Sequence, residues 1–249
     1  MPNPTPIMLA LTKSIYQNEY GGNNLDHIFE GFISPKLPSD VVFGEVVTSW
    51  INISEPFIQT IRMLDPNQDI VFSVDDEIDR DSIPSWGYVI TSVPVFFWLL
   101  QAGVYRLELV VENQVRKTVE LPVCRHLMDE HFEVKFTPQI SAFVIALNAT
   151  FHVGTQVSDV MTSAGLPKTG RYGMVLSFSS IKEPFEIHFE VRNQAKEVLG
   201  EGTHLIASND IFAAATFMSM QYRRLEAGLN WLVVKWEEQE IWHPLFIIG

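Results

Sequence analysis

The chain has 249 residues, of which 47% are hydrophobic and 12% aromatic, so it can bury one large or two ordinary cores and is not a disordered chain. Its 17 basic and 30 acidic side chains give a formal net charge of −13, which argues against a nucleic-acid or anionic-membrane partner, because both are bound through Lys and Arg. The single cysteine, Cys124, excludes an intrachain disulfide, and because no signal-peptide pattern or apolar run of the ~20 residues of a membrane helix is present, we expect a cytoplasmic protein.

Short segments with alternating apolar side chains predict β-strands along the first half. Between 103 and 111, Leu107 and Leu109 flank Glu108, the pattern of a strand with one face on a core and one in water. The Glu-Asn-Gln at 112–114 then predicts a hairpin turn. Strands of this length, separated by turns about every 8–12 residues, are typical of antiparallel β-sandwiches of the immunoglobulin-like or C2-like type.

The most acidic stretch has five carboxylates in seven residues: Asp75, Asp76, Glu77, Asp79 and Asp81. On a loop, these side chains could supply the ~6–8 oxygen ligands that Ca²⁺ takes. The spacing is not that of an EF-hand, and the corresponding stretch of the second half has lost the charge. Two readings stay open, namely a calcium-dependent binding module or hydrolase that uses the loop 75–81, and a solvated acidic loop without a metal.

The segment 93–100, Val-Pro-Val-Phe-Phe-Trp-Leu-Leu, is apolar at every position and therefore on both faces of a strand. It is either a strand buried on both sides or one whose outer face is covered by another domain or subunit. The second reading predicts that Phe96 and Trp98 bind a partner. Three tryptophans lie close to the C-terminus, and we predict the same role for Trp242.

Leu100, Gly103 and Tyr105, followed by alternating apolar residues, resemble the tyrosine corner that closes many immunoglobulin-like sandwiches. The second half has Asn230 where this tyrosine is expected. The corner is therefore predicted for the first half and left open for the second.

Glycines before an aspartate, an Asp-x-Asn turn and a Gly-x-Tyr strand form a longer pattern: Gly21 and Gly22 with Asp26, Asp65 with Asn67, and Gly103 with Tyr105. The pattern covers most of the first half and less of the second. It resembles a family of small uncharacterised bacterial β-sandwich proteins. The resemblance implies the fold and a bacterial source, and it implies no function, because the family has no established activity or catalytic residues.

A polar segment at 124–136 predicts a short linker between domains at 1–123 and 137–249. It also holds four side chains of types that bind zinc: Cys124, His126, Asp129 and His131. Their spacing matches no structural zinc pattern with its usual second pair, so a polar hinge is the alternative.

The second half repeats the first in three collinear blocks: 53–71 with 181–199, 8–16 with 144–152, and 102–114 with 227–239. Collinear blocks with slightly different offsets are what a duplication with loop insertions leaves. We therefore predict two tandem β-sandwich domains with little helix. The best helical candidate, 212–228, forms a short helix or none.

Enzymatic motifs such as a G-x-S-x-G elbow, a Walker loop or H-E-x-x-H are absent from the sequence. His188 and His243 are predicted to be surface imidazoles. These observations favour a non-catalytic binding or scaffolding protein that recognises a protein partner through sandwich edges or loops, and leave an enzyme open. A self-assembling structural subunit is a further alternative.

Overall fold

The computed structural model describes residues 4–19, 22–83, 88–125, 138–151, 157–162, 166–167, 172–179, 181, 183–207, 214–220 and 225–248. These residues form strands and turns without a helix, which confirms the predicted all-β class. Accordingly, this part of the chain offers no helix with the length and apolarity to span a membrane.

Among these described residues, nine strands come from each half of the chain. In the first half they are β1 (Thr5–Gln17), β2 (Asn23–Phe29), β3 (Phe32–Ile33), β4 (Val42–Ile51), β5 (Phe57–Leu64), β6 (Ile70–Ile78), β7 (Val89–Phe97), β8 (Gly103–Val111) and β9 (Gln114–Cys124). In the second half they are β10 (Gln139–Phe151), β11 (Val157–Thr162), β12 (Leu166–Pro167), β13 (Tyr172–Ser179), β14 (Phe185–Arg192), β15 (Val198–Ile206), β16 (Ala214–Met220), β17 (Gly228–Trp236) and β18 (Gln239–Ile248).

The two halves have the same strand order. In the first half, a four-stranded arm β2-β1-β4-β7 faces the sheet β3-β9-β8-β5-β6. Raising every strand number by nine gives the order in the second half, β11-β10-β13-β16 and β12-β18-β17-β14-β15. The pairs β3–β9 and β12–β18 are parallel, whereas the other pairs are antiparallel. Each half is thus a sandwich of two sheets with one shared topology.

Alternating side chains fill the space between the two sheets of each sandwich. In the first half, Leu9 and Trp50 from the four-stranded arm meet Ile61 and Leu107 from the facing sheet, and all four are buried completely. Burial of large apolar side chains of this kind is the main favourable term in folding. The period of two predicted from the sequence therefore produces these cores.

Equivalent hairpin turns also repeat between the halves. The Asp65 carboxylate accepts a hydrogen bond from the backbone N–H of Asp69 at 2.9 Å, and the Asn193 side-chain oxygen accepts one from Glu197 at 2.9 Å. Side-chain oxygens of Asp and Asn close such turns by replacing a backbone acceptor. The repeated turns support a duplication, which stays an inference from sequence and topology.

The first strands of the two halves correct the predicted alignment. Met8 pairs with Ser49 next to a bulge, and Ala142 pairs with Ser177 next to an equivalent bulge. Met8 therefore corresponds to Ala142, an offset of 134 residues (142 − 8), whereas the matched sequence blocks imply 136 (144 − 8). A slip of two residues leaves every side chain on its own face, so hydrophobic alternation does not detect it.

The two sandwiches are joined through their four-stranded arms. Strand β11 pairs with β2, with Val160 opposite Leu25, and this pairing merges the arms into one eight-stranded sheet. On the outer faces of the arms, Met8 and Val47 pack in one buried cluster with Val175 of the second half. Strand β1 is consequently buried on both faces over much of its length.

The division into domains at 1–123 and 137–249 is therefore less sharp than the sequence predicts. Ile7 and Ile51 belong to the core of the second sandwich. Ser177 also donates a hydrogen bond to the carboxylate of Glu30, at 2.6 Å. The predicted linker lies outside the described residues from 126 onward.

The tyrosine corner of the first half is present. Tyr105 is fully buried, and its hydroxyl accepts hydrogen bonds from the backbone N–H groups of Leu100 and Gln101 at 3.0 and 3.3 Å. In the second half, the Asn230 amide instead donates to the carbonyls of Glu226 and Gly228 at 3.0 and 3.2 Å. A short amide thus closes the second corner in place of the phenol.

Of the two alternatives predicted for 212–228, a short helix or none, the structure shows no helix where it describes this segment. Residues 214–220 form β16, which pairs with β13 along seven residues. Pairing with a neighbouring strand decides the conformation of this alanine-rich segment, because tertiary context overrides weak helix propensity.

Candidate functional site

Three of the five acidic residues at 75–81 lie on a strand, whereas the sequence predicts a loop for all five. Asp75, Asp76 and Glu77 belong to β6, and strand alternation exposes Asp75 and Glu77 while Asp76 faces inward. Asp79 follows the strand, and its carboxylate accepts the backbone N–H of Ser82 at 2.8 Å. Because neighbouring carboxylates point to opposite faces, β6 spreads them apart.

Asp76 takes part in a polar network inside the first sandwich. Its carboxylate accepts hydrogen bonds from the Gln59 amide at 2.7 Å and from the Thr91 hydroxyl at 3.1 Å. The Gln59 carbonyl oxygen in turn accepts from the Trp50 indole at 2.9 Å and from the Thr48 hydroxyl at 3.1 Å. The network links both sheets and occupies Asp76 with internal partners.

In the described part of the chain, no group of three or more His, Cys, Asp or Glu side chains is placed to hold an ion. The Ca²⁺ site at Asp75, Asp76, Glu77, Asp79 and Asp81 stays a prediction. For the zinc hypothesis, Cys124 is buried and its thiol donates to the carbonyl of Phe32 at 3.7 Å. The partners His126, Asp129 and His131 lie outside the described residues.

The predicted apolar segment 93–100 instead produces a large exposed surface, which we call the β4–β7 patch. Its inner residues are buried in the first core, but its outer face is open. The patch consists of four side chains with the following exposed fractions: Phe43 68%, Phe96 64%, Trp98 49% and Leu100 56%. Phe43 pairs with Phe96 across the strands, and the rings of Phe96 and Trp98 lie 6.4 Å apart in a T-shaped contact.

Hydrogen bonds to the backbone hold the end of the β4–β7 patch in place, and the patch lies at an edge of the eight-stranded sheet. The Ser39 hydroxyl accepts the backbone N–H of Leu99 at 3.0 Å, next to the tyrosine corner that fixes Leu100. Strand β7 is the last strand of the sheet and contains Pro94. A proline cannot donate to an added strand, which makes this edge a poor template for strand pairing. The side chains of the patch are therefore the more suitable contact surface.

The third predicted contact residue, Trp242, lines a cleft of about 330 Å³ where the two halves meet, which we call the junction cleft. Its walls come from the first half at Thr5, Ile51 and Asn52, and from the second half at Lys196, Trp231, Glu240, Ile241 and Trp242. Trp242 and the two residues of the β4–β7 patch are thus on two separate surfaces.

Next to the junction cleft, the outer face of β14, β17 and β18 carries a charged cluster. Glu190 is buried at 6% exposure, with Lys235 at 2.5 Å and Arg192 at 2.6 Å from its carboxylate oxygens. Burial raises the pKa of Glu190, but the hydrogen bonds and charges of Lys235 and Arg192 outweigh burial and hold the pKa below its usual value. His188 lies 3.4 Å from the same carboxylate.

His243 is not the surface imidazole that the sequence predicts. It is buried at 4% exposure between Tyr88 of the first half and Phe143 of the second, with ring centroids at 5.5 and 4.8 Å. Its Nδ1 lies 2.7 Å from the carbonyl of Pro244, whereas Nε2 has no hydrogen-bond partner among the described residues. Burial lowers the pKa of His243 to about 4, although the backbone hydrogen bond opposes this shift. The imidazole is therefore neutral at pH 7.

No family model matches the chain. No curated protein matches it either. Among solved structures it is similar to a crystal structure of red sea bream transglutaminase, at 8% identity and a TM-score of 0.24, over 96% of this chain and 31% of that one. It is also similar to the BSP domain of a biofilm-associated protein, at 12% identity and a TM-score of 0.20, over 88% and 28% of the two chains. The chain spans less than a third of each of these solved proteins, and similarities of this size assign no function.

Sequence reasoning missed Phe43, Asn52 and Lys196 as surface residues of interest, and it chose only Trp242 among the C-terminal tryptophans as a contact residue. Phe43 lies more than fifty residues before Phe96 and becomes its neighbour only when β4 pairs with β7. The junction cleft combines segments from both halves, so no local sequence pattern shows it. An aromatic residue at an outward position of a strand is the one signal that could have drawn attention to Phe43.

Proposed function

We propose that the protein is a non-catalytic binding module that docks a folded protein partner on the β4–β7 patch. The observation that carries the proposal is the exposure of four large apolar side chains side by side, each between 49% and 68%. With ~150–250 Å² available per aromatic side chain, these fractions leave roughly 400–500 Å² of apolar surface in water. That is comparable with the largest patch on a typical monomer, which is often functional.

The second half supports a role in binding over a role in folding. Strand pairing of β16 with β13 places Phe217 opposite Val175, as β7 and β4 place Ser92 opposite Val47. Phe217 thus corresponds to Ser92, an offset of 125 residues (217 − 92). With this offset, the sequence has a glutamine, at 221, where the first half has Phe96, and an arginine, at 223, where it has Trp98. The sequence of the second half therefore does not repeat these two aromatic residues.

Charge favours a basic partner over a second copy of this chain. Residues 1–123 carry 7 basic and 16 acidic side chains, and Asp40 and Glu45 flank Phe43 in sequence, with Glu45 at the next outward position of β4. Docking two such halves against each other would bring like charges together, which weakens association. We infer a partner whose apolar contact face has a basic rim. We also place the protein in the cytoplasm, because its one cysteine is a free thiol.

A double variant tests the proposal, Phe96→Gln with Trp98→Arg, which copies the residue types of the second half. Leu205→Gln is the matched control, because Leu205 is 63% exposed on β15, an edge strand of another sheet. Partners captured on the native chain are identified, purified and titrated by calorimetry. If the two residues together contribute about 2 kcal/mol or more to the binding free energy, as interface hot spots do, the double variant should raise the Kd at least ~30-fold. The control should bind like the native chain.

Salt provides a second readout, because attraction between an acidic surface and a basic rim is screened as ionic strength rises. The Kd for the purified partner should therefore weaken with added salt. The proposal is wrong if the double variant binds the purified partner as tightly as the native chain. Sedimentation showing that the native chain dimerises and the double variant does not would replace it with the self-assembling subunit.

A further inference from the structure

We propose that the junction cleft is a binding site for a small organic carboxylate with a flat apolar body, such as an aromatic acid. The site is independent of the β4–β7 patch and joins the two halves of the chain. Its volume of about 330 Å³ lies at the lower end of the range of ligand pockets in proteins, ~300–1,000 Å³.

The apolar part of the site is built from residues of both halves. Trp231 and Trp242 meet edge to face with ring centroids 5.8 Å apart, and Ile51 and Ile241 complete the wall. Both tryptophans are only half-buried, so indole surface is open to the cleft. Aromatic walls of this kind bind flat apolar groups through large contact areas.

The polar groups left open in the cleft are chiefly donors. The Lys196 ammonium has no carboxylate partner in the described part of the chain, and the Asn52 amide and the Trp231 indole N–H have no hydrogen-bond partner there. The nearby carboxylate of Glu240 already accepts the indole N–H of Trp242. A ligand that accepts hydrogen bonds and carries a negative charge fits this set of groups.

Local structure holds two of these donors in place. Lys196 has a positive φ of 65° in its hairpin turn, and its ammonium lies over the Trp242 ring at 5.4 Å from the centroid. Its carbonyl accepts a hydrogen bond from Arg192 at 3.1 Å. Asn52 has a φ of 60°, a backbone conformation that Asn tolerates better than most residues. A cation held over an aromatic face loses less side-chain entropy when it binds an anion.

The sandwich fold does not itself require these residues. Strand pairing places Trp231 at the position of Arg106 in the first half, and Trp242 at the position of Thr118. Neither of the corresponding residues is aromatic, although the strand order is the same. The tryptophan pair is therefore a feature of the second half alone, at the point where it meets the first.

The test uses phenylacetate as the probe and phenylacetamide as its uncharged match, with the full chain in both titrations. Calorimetry should show phenylacetate binding at least ~10-fold tighter than phenylacetamide, because the carboxylate gains a charged hydrogen bond that the amide cannot form. Lys196→Met, which keeps the length of the side chain, should remove this preference. Asn52→Gly, which keeps the backbone conformation, should weaken phenylacetate binding by a smaller factor.

Lys13→Met is the matched control, because it makes the same charge change on an exposed side chain of β1. Lys13 is eight residues along the strand from Thr5, about 26 Å at ~3.3 Å per residue. Its variant should bind phenylacetate like the native chain. Thermal unfolding of each variant confirms that the fold is intact.

Three results would overturn the proposal. The first is no heat of binding for phenylacetate up to ~10 mM, which is tenfold weaker than a millimolar site. The second is equal affinity for the acid and the amide. The third is a Lys196→Met variant that binds phenylacetate as tightly as the native chain.

Discussion

Replacing Gln59 by isoleucine should destabilise the protein, because Gln59 is the centre of the polar network in the first sandwich. Its side chain is fully buried and makes hydrogen bonds to four others, those of Thr48, Trp50, Asp76 and Thr91. Isoleucine is the residue at the same position of the second sandwich, where Ile187 is also fully buried. The substitution is therefore compatible with the fold in shape and tests the hydrogen bonds.

The magnitude follows from the hydrogen bonds that the Trp50 indole and the Asp76 carboxylate lose. The Trp50 indole N–H is buried and loses its acceptor at 2.9 Å, which costs about 1–3 kcal/mol. Asp76 loses a 2.7 Å hydrogen bond to its charged carboxylate, about 1.5–3 kcal/mol, but keeps the Thr91 hydroxyl. Added apolar burial offsets about 1–2 kcal/mol. We expect a net loss of about 3 kcal/mol in the free energy of unfolding, or a fall in Tm of ~6–12 °C.

A triple variant provides the decisive comparison. Thr48→Leu, Trp50→Phe and Gln59→Ile together install the residues of the second sandwich, where Leu176 and Phe178 occupy the first two positions and are fully buried. Together the three changes remove Gln59 and both of the groups that donate to its carbonyl oxygen, and they leave Asp76 and Thr91, which still hydrogen-bond to each other. Fewer buried polar groups therefore lose their partners than in Gln59→Ile alone. The triple variant should therefore be more stable than Gln59→Ile alone.

Urea unfolding followed by far-ultraviolet circular dichroism measures both variants without depending on Trp50 fluorescence. The reasoning is refuted if Gln59→Ile lies within about 0.5 kcal/mol of the native chain, the range of neutral surface substitutions. It is also refuted if the triple variant is less stable than the single one.

Three further predictions concern single residues. Tyr105→Phe removes the hydroxyl of the tyrosine corner and should cost about 1–2 kcal/mol in urea unfolding, as should Asn230→Ala in the second half; no change in either would mean that the corners do not stabilise the fold. Glu190→Gln should reduce stability at pH 7, and because the native pKa is lowered, its difference from the native chain should shrink as pH falls through the acid range; a difference that persists at low pH would contradict the role of the Lys235 ion pair. Because of His243, the free energy of unfolding of the native chain should fall by about 3 kcal/mol between pH 6.5 and 4, since the unfolded imidazole binds a proton in this range and the buried one does not. The free energy of unfolding of His243→Phe, measured against pH, should lack this fall. An identical pH dependence of the two proteins would refute the prediction.

Several site predictions depended on assumptions about local structure that the fold changes. The acidic segment was expected to form a loop, but residues 75–77 continue the strand β6 because β5 pairs with them along their whole length. Pairing then separates Asp75 from Asp76 by the alternation of a strand. In the same way, the alternating pattern of β14 suggests that Glu190 faces solvent. In the structure Glu190 is buried, because Lys235 of β17 covers it.

The sequence by itself determined the all-β class and the alternating cores, and its three collinear blocks indicated that the two halves are alike. These properties depend on period-two hydrophobicity and on turn residues such as Asp65 and Asn193, which act over a few neighbouring positions. Only the tertiary structure decided that Met8 is equivalent to Ala142, that Phe96 and Trp98 are exposed, and that distant segments meet in the junction cleft. Each of these depends on which strand lies beside which, and a sequence in which every second residue is apolar satisfies several such pairings equally well.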